Sequence, residues 1–295
     1  MKPQINIAFI PSKMVSGRPL PATDSRQTRG RRPTRIGATR WLTVLALVAI
    51  AATILTMSLA TTAGAAETAK LKVVFSPNRP KASTTVSYHI AINTNDGKLP
   101  EPLTGLDLHM PAGMELMESQ LGMATCSANV LLERGVAGCP VDSRLGFGRT
   151  NVKFDFGQVT NEAHAQITAL LGNTPGEGIP ILIYAEVLTP VWDSFVFPSR
   201  LLGDSRPYGQ RLDILLPLIE TLPGAPDVQI TSITASFGSA HLTYYRRIHG
   251  RTTAFKPRGI AVPRQCPFGG FPVAADMSFL DNTSVQARSK VPCPT

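Results

Sequence analysis

The sequence predicts an all-β protein with an immunoglobulin-like β-sandwich architecture and one short disulfide-tied helix, after an N-terminal signal or anchor segment. Short runs alternate between apolar and polar residues, as in 84–93, where the apolar positions are Val86, Tyr88, Ile90 and Ile92. The 24 glycines and 25 prolines interrupt such runs at short intervals along the 295 residues. Many short strands separated by turns are typical of β-sandwiches.

Basic residues are concentrated at the N-terminus. Residues 1–40 contain nine of the 29 lysines and arginines and one of the 20 acidic residues, and residues 41–65 carry no charge. Residues 66–295 therefore contain 20 basic and 19 acidic side chains. Because the net charge of +9 comes almost wholly from the leader, we expect no nucleic-acid partner for the folded part.

The N-terminal region 1–65 has the layout of an export segment. Several arginines precede the uncharged run 41–60, and the small residues Ala63, Gly64 and Ala65 match a signal-peptidase site. We expect cleavage near Ala65 and a secreted, extracellular mature chain. The alternative is an uncleaved membrane anchor formed by residues 41–60 with the N-terminus in the cytoplasm, because the run reaches the roughly 20 residues that span a bilayer.

The elements expected after the leader are strands, with one exception. The strands are expected in the segments 71–76, 84–93, 104–110, 149–157, 163–171, 179–188, 194–202, 211–219, 228–238, 240–247, 258–264, 271–281 and 283–293. The exception is a helix with Ser127 as its N-cap and Gly135 as its C-terminal stop. The linker 221–227, rich in proline and glycine, divides a larger β unit (66–220) from a smaller one (228–295). A single extended sandwich is the alternative.

Four cysteines follow the leader, an even number that suits an oxidising compartment. They are Cys126, Cys139, Cys266 and Cys293. The spacing of twelve residues between the first two, with no nearby histidine, does not fit a zinc site or a C-x-x-C redox motif. We therefore expect structural disulfides. Three pairings are possible, and pairing of sequence neighbours is the most economical.

No catalytic, cofactor-binding or metal-binding residue is predicted. The sequence contains none of the G-x-S-x-G, S-x-x-K and H-E-x-x-H motifs, and the five histidines lie inside or beside predicted strands without close spacing. One segment has the composition of a ligand surface for sugars or anionic polymers, namely Tyr244, Tyr245, Arg246, Arg247 and Arg251. The alternative is an edge strand protected by charge.

Two blocks of the sequence resemble a group of uncharacterised exported bacterial proteins. The first joins "SPNRPKASTTVSYHIAI", "LTGLDLHMPAGMEL" and a C-x12-CP motif followed by "VDSRLGFG"; the second contains "CPFGGFPVAADMSFLD". The resemblance covers most of residues 70–295 and implies secretion and a β-rich fold. It implies no activity, substrate or functional residue.

These observations predict an exported, non-catalytic binding or structural module whose ligand is unknown. A cell-envelope polymer or another surface protein is the expected kind of partner, and no cofactor is expected. Two alternatives stay open at this point. One is a secreted hydrolase whose acidic residues or histidines meet only in the folded chain, and the other is binding of carbohydrate or anionic polymer through segment 244–251.

Overall fold

Within the residues that the structure describes, the fold is all-β apart from one short helix and two helical turns, which confirms the predicted class. A computed structural model describes residues 66–116, 124–156, 159–187, 192–219, 227–238 and 243–294. These residues belong to one compact unit, Ala63–Thr295. The predicted export segment, including residues 41–60, lies outside the described residues.

Fifteen strands occur in the described part of the chain. They are β1 Glu67–Ser76, β2 Ser83–Thr94, β3 Leu103–Pro111, β4 Glu115–Leu116, β5 Arg144–Phe156, β6 Val159–Leu171, β7 Ile179–Val187, β8 Asp193–Gly203, β9 Tyr208–Leu215, β10 Gln229–Phe237, β11 Tyr244–Ile248, β12 Arg251–Phe255, β13 Ile260–Ala261, β14 Phe271–Phe279 and β15 Ser284–Val291. Helix α1 spans Ala128–Arg134, and two 3₁₀ turns follow it at Val136–Gly138 and Val141–Ser143.

Thirteen of these strands form one antiparallel sheet. Its order is β15-β14-β3-β9-β8-β7-β6-β5-β10-β2-β13-β4, and β1 pairs with β2 along the full length of β1. Strands β11 and β12 form a separate hairpin. Hydrogen bonds therefore connect all thirteen strands of the large sheet, and the finer expectation of an immunoglobulin-like pair of sheets is not confirmed.

The sheet curls so that β1, the first strand in the chain, lies against β15, the last strand in the chain. Side-chain hydrogen bonds connect residues in or next to these two strands at both ends. Thr283 donates to the Glu67 carboxylate (3.2 Å), and the Asn78 amide donates to the carbonyl of Pro292 (2.8 Å). We call this arrangement the rolled sheet. Rolling gives the sheet an inner face, to which alternate residues of each strand point.

Strands from both sides of residues 221–227 pair within the rolled sheet. β10 lies between β2 and β5, and β14 lies between β3 and β15. Residues 220–226 themselves lie outside the described residues. The segments before and after this stretch thus share one hydrogen-bonded sheet.

Helix α1 forms where the sequence predicts it. The Ser127 hydroxyl accepts a hydrogen bond from the amide of Val130, and Gly135 ends the helix at a φ of 63°, a region that favours glycine. Leu131 is fully buried against Leu170 and Tyr184 of the sheet. In the part of the chain that the structure describes, no helix is long and apolar enough to cross a membrane.

Both predicted disulfides join sequence neighbours. Cys126–Cys139 closes the loop that carries α1, and Cys266–Cys293 joins the residues just before β14 and just after β15. Cys126 and Cys139 are buried together with Leu131, so the first bridge and the helix form one cluster. Of the three pairings that the sequence left open, the structure thus has the most economical one.

Replacing Cys126 and Cys139 together by serine should destabilise the fold by about 3 kcal/mol, because a cross-link of this loop length restricts the unfolded chain by that amount. Chemical denaturation followed by tyrosine or tryptophan fluorescence measures this change. The matched variant, with Cys266 and Cys293 replaced by serine, should lose about 3.5 kcal/mol because its loop is longer. An unchanged midpoint in either variant would contradict this account of the bridges.

Candidate functional site: an apolar cavity inside the rolled sheet

The inner face of the rolled sheet lines a partly open cavity of about 250 Å³. Eight strands contribute to its wall: β2, β3 and β5 to β10. The wall is almost entirely apolar. Its principal side chains are Ile90, Leu103, Leu106, Val152, Phe154, Ile167, Ile183, Val187, Phe195, Phe197, Ile214, Leu216, Ile219, Ile230 and Ile233.

Small residues on the inner face leave this space open. Ala163, Ala165, Ala185 and Ala235 all line the cavity and are buried. Gly148 lies directly opposite Ala235 in the neighbouring strand, and a Cβ there would come within 2.5 Å of the carbonyl oxygen of Thr234. The close approach of β5 and β10 therefore requires a glycine at this position, which removes one more inward side chain.

Elsewhere the interior is filled by large side chains. Phe271, Val273 and Met277 of β14 are almost completely buried, and the rings of Phe75 and Phe271 lie 5.7 Å apart. The rolled sheet thus has a packed part beneath β1, β14 and β15 and a hollow part beneath β5 to β8. The same inner face thus carries both a packed core and an open volume.

The floor of the cavity is formed by Tyr88, Leu108 and Phe237. These three residues also line a second cavity of about 40 Å³, which extends toward β4 and β13. The rings of Tyr88 and Phe237 meet edge to face, with their centroids 6.2 Å apart. This contact fixes the orientation of the Tyr88 ring.

Two hydroxyl groups lie in the wall, and they differ in their hydrogen bonding. The Thr150 hydroxyl donates to the carbonyl of Ser232 (2.8 Å). The hydroxyl of Tyr88, which is 2% exposed, has no hydrogen-bond partner among the described residues. Burial raises the pKa of the Tyr88 phenol well above its ordinary value, so the group stays protonated and able to donate.

Apolar side chains are exposed at one end of the cavity. Leu218 lines the cavity and is also exposed, and Val159 and Trp192 lie at the same end of the strands. Trp192 is 63% exposed and donates from its indole nitrogen to the Glu186 carboxylate (3.1 Å).

The hairpin β11–β12 carries the predicted ligand surface, but its two tyrosines face opposite ways. Tyr244 is buried, and its hydroxyl donates to the carbonyl of Arg144 (2.6 Å), so its assignment to that surface is wrong. Tyr245 is 73% exposed, and Arg247 and Arg251 are also exposed. Nothing is described of the Arg246 side chain. The alternation of a strand, with successive side chains on opposite faces, explains the difference.

A polar cluster lies on the outer face of the sheet, and the sequence analysis missed it. The imidazole of His109 contacts the carboxylate of Asp204 through Nδ1 (2.6 Å) and that of Asp276 through Nε2 (3.2 Å). The partners lie 95 and 167 residues away in sequence. In the residues that the structure describes, no group of three or more acidic, histidine or cysteine side chains could hold a metal ion.

Comparison of this chain with family models, with curated proteins and with solved structures finds no match.

The pKa of Asp204 gives a prediction about acid stability. Burial acts to raise this pKa, but hydrogen bonds from His109 and from the Ser205 amide, with the charges of His109 and Arg211, outweigh burial and lower it. A carboxyl with a lowered pKa in the folded state stabilises that state above its unfolded pKa of about 3.9, and this stability is lost as the pH falls.

We therefore expect Asp204→Asn to be less stable than the native chain at neutral pH, with the difference shrinking below about pH 4. Urea denaturation at a series of pH values measures it. Glu177→Gln, a change at an exposed carboxylate, is the control and should show a much smaller difference. A stability difference for Asp204→Asn that stays constant down to pH 2 would contradict the prediction.

Proposed function

We propose that the chain is an exported, non-catalytic binding protein that takes a small apolar ligand into the rolled sheet. The observation that carries this proposal is the cavity of about 250 Å³ with its apolar wall. An internal cavity of roughly 150 Å³ lined by apolar side chains stays dry and binds benzene. By proportion, this cavity suits a ligand of roughly ten non-hydrogen atoms.

The chemistry of the wall favours binding over catalysis. Among the described residues that line the cavity, the polar side chains are Tyr88, Thr150 and Asp193, and none is a histidine or a cysteine. These residues therefore do not place a nucleophile beside a base. The outer-face carboxylates near His109 are the remaining candidates for a hydrolase, but neither of the two cavities is lined by them.

Two disulfides support export, because such bonds persist in oxidising compartments. The proposed location is therefore extracellular after cleavage near Ala65, or at the membrane through an anchor formed by residues 41–60. We also propose an immunoglobulin-like sandwich, in which the two halves of the rolled sheet pack as facing layers. A hollow interior favours this packing less than a filled interior would.

Filling the cavity tests the proposed function. In the native mature chain, n-butylbenzene should bind and raise the midpoint of thermal unfolding, because a ligand that binds only the folded state stabilises it. Ala185→Leu should abolish this shift by occupying the volume, and the unliganded variant should unfold at the same or a higher temperature. Isothermal titration calorimetry gives the affinities.

The matched control is Ala254→Leu, which makes the same change at an exposed position of β12. This variant should bind n-butylbenzene as the native chain does. Equal binding by the Ala185→Leu variant, or no binding by the native chain, would show that the cavity is not a binding site for small apolar molecules.

The exposed face of the hairpin β11–β12 supports a second candidate function, the binding of anionic polymers. Tyr245, Arg247 and Arg251 are exposed, and β11 and β12 pair only with each other among the described strands. Arginine forks and an aromatic face suit phosphate, sulfate or carboxylate groups on a polymer. This surface is separate from the residues that line the cavity.

Replacing Arg247 and Arg251 together by alanine should lower the salt concentration needed to elute the mature chain from a heparin column, because two cationic contacts are lost. The control replaces Arg206 and Arg258, two exposed arginines outside the hairpin, and changes the net charge equally. If the two variants elute at the same salt concentration, retention depends on net charge, and the hairpin is not the binding surface.

A further inference from the structure

One end of the rolled sheet carries a fully exposed phenylalanine. Phe268 lies in the short segment before β14, and it is the most exposed of the large apolar side chains in the part of the chain that the structure describes. A single exposed apolar side chain is common on soluble proteins and needs no function. Phe268 differs from that ordinary case because its backbone is fixed and because basic residues lie beside it.

The turn that carries Phe268 is held to the end of β15. The Cys266–Cys293 disulfide joins its start to the residues that follow β15. The amide of Gly270 donates to the carbonyl of Pro267 (3.0 Å), which closes the turn around Phe268. A Cβ on Gly270 would stand 2.6 Å from the carbonyl oxygen of Val291, so this close approach requires glycine. The ring therefore protrudes from a short turn with a covalently anchored base.

The Lys290 side chain lies directly beside this turn. Its ammonium nitrogen is 3.2 Å from the point at which a Cβ on Gly269 would stand, and Gly269 follows Phe268 in the chain. Lys290 is exposed. Arg264 also precedes the turn closely, but it pairs with the Glu115 carboxylate (3.3 Å). Lys290 therefore supplies the positive charge nearest to the turn.

The loop between β1 and β2 adds two more cations. The side-chain amide of Asn78 donates to the carbonyl of Pro292 (2.8 Å), and the backbone amide of Lys81 donates to the carbonyl of Val262 (3.0 Å). These bonds hold the loop against the chain that carries the turn. Arg79 and Lys81 are both exposed.

We call Phe268, Arg79, Lys81 and Lys290 the basic tip. The three segments that form its surroundings, 77–82, 262–270 and 290–294, contain four basic residues and no acidic residue. Among the described residues, the three cations of the basic tip take part in no ion pair. Their charge is therefore available to an anionic partner.

The opposite end of the rolled sheet has the opposite charge. β14 begins beside the basic tip and ends at Phe279, which pairs with the cavity-lining Leu103 of β3. The loops and strand ends there carry one exposed lysine, Lys98, which pairs with a carboxylate (3.2 Å). They also carry five exposed acidic residues, namely Asp96, Glu101, Asp155, Asp193 and Asp281. The charges of the sheet are thus separated along its strands.

The shape of the basic tip favours a lipid bilayer as its partner. A protein would need a pocket that matches the protruding ring, whereas a bilayer accepts apolar rings at the boundary between headgroups and acyl chains. An anionic polymer would bind the cations but would leave the ring in water. Only a partner with anionic groups above an apolar layer matches both parts of the basic tip.

We infer that the basic tip attaches the chain to an anionic lipid surface. The Phe268 ring lies at the boundary between headgroups and acyl chains, and Arg79, Lys81 and Lys290 contact the lipid phosphates. The acidic end is repelled by the same surface, which orients the molecule with that end toward the solvent. This attachment goes beyond the proposed function, since it does not depend on whether the cavity binds a ligand.

Vesicle sedimentation with the mature chain, which begins at Ala66 and retains all the described strands, tests the inference. The chain should bind vesicles made of equal amounts of phosphatidylglycerol and phosphatidylcholine, and it should bind pure phosphatidylcholine far more weakly. Added salt should weaken the binding, because salt screens the attraction between exposed charges. Equal binding to both kinds of vesicle, or no binding to either, would overturn the inference.

Replacing the ring tests its insertion. Phe268→Ala should weaken binding to the anionic vesicles by roughly tenfold, because a large apolar side chain no longer enters the bilayer. The fold should be unaffected, since the ring contributes nothing to the core. Leu280→Ala, a change at an exposed apolar residue of the opposite end, is the control and should bind as the native chain does. Native-like binding by Phe268→Ala would show that the tip holds anionic groups without insertion, as for a polymer, and would overturn the inference.

Removing two cations tests the charge. Arg79→Ala combined with Lys290→Ala should weaken binding by roughly thirtyfold, since each basic residue near an anionic bilayer contributes about fivefold. The matched control combines Lys70→Ala with Arg149→Ala, which removes the same charge from exposed positions inside β1 and β5. An equal loss in both double variants would show that attraction depends on net charge, and the basic tip would not be the attachment site.

Fluorescence reports the position of the tip directly. Trp192 is the only tryptophan in residues 66–295, so a variant with Trp192→Phe and Phe268→Trp has its one indole at the tip. Its emission should move to shorter wavelength when anionic vesicles are added, and spin-labelled lipids should quench it, because the indole enters the bilayer interface. Unchanged emission from vesicle-bound protein would overturn the inference.

Discussion

The meeting of β1 and β15 is the constraint on which the rest of the structure depends. An open sheet of this size leaves two edge strands with unpaired backbone groups, which are sites of aggregation. Here the curl of the sheet brings the two edges side by side, with Glu67 bonded to Thr283 at one end and Asn78 to Pro292 at the other. The Cys266–Cys293 bridge ties the ends of the β14–β15 pair and so fixes the edge that β1 must meet.

Rolling the sheet creates an interior, and the sizes of the inward side chains decide how it is used. Beneath β14, phenylalanine and methionine side chains fill the space completely. Beneath β5 to β8, alanines at positions 163, 165 and 185 leave it open. Strands form the wall in both parts, so the sizes of the inward side chains distinguish the packed core from the open volume.

Local features of this fold were predictable from the sequence, and long-range ones were not. The alternation around Tyr88 and the cap at Ser127 depend on residues close together in the chain, and both were predicted correctly. The neighbour pairing of the cysteines was the most economical of the three pairings that the sequence left open. The position of β14 beside β3 depends on pairing between segments about 170 residues apart, for which the alternation pattern gives no register. The cavity was missed for the same reason, because inward-facing alanines reveal a hollow only when the opposite wall is known. The placement of Tyr244 on the same surface as Tyr245 is the one prediction that alternation itself could have corrected, because successive residues of a strand point to opposite faces.

The size of the cavity is an argument for function in its own right. Residual volume in a protein core is costly, because the side chains around it lose packing contacts. The cavity therefore lowers a net stability that for ordinary domains is only about 5–15 kcal/mol. Replacing one or two of the lining alanines by leucine or isoleucine would remove much of this cost, and stabilising substitutions of that kind are common in proteins. A chain that keeps this open volume therefore gives up stability that larger side chains would supply. Under the proposed function, an apolar ligand that fills the volume would offset this cost.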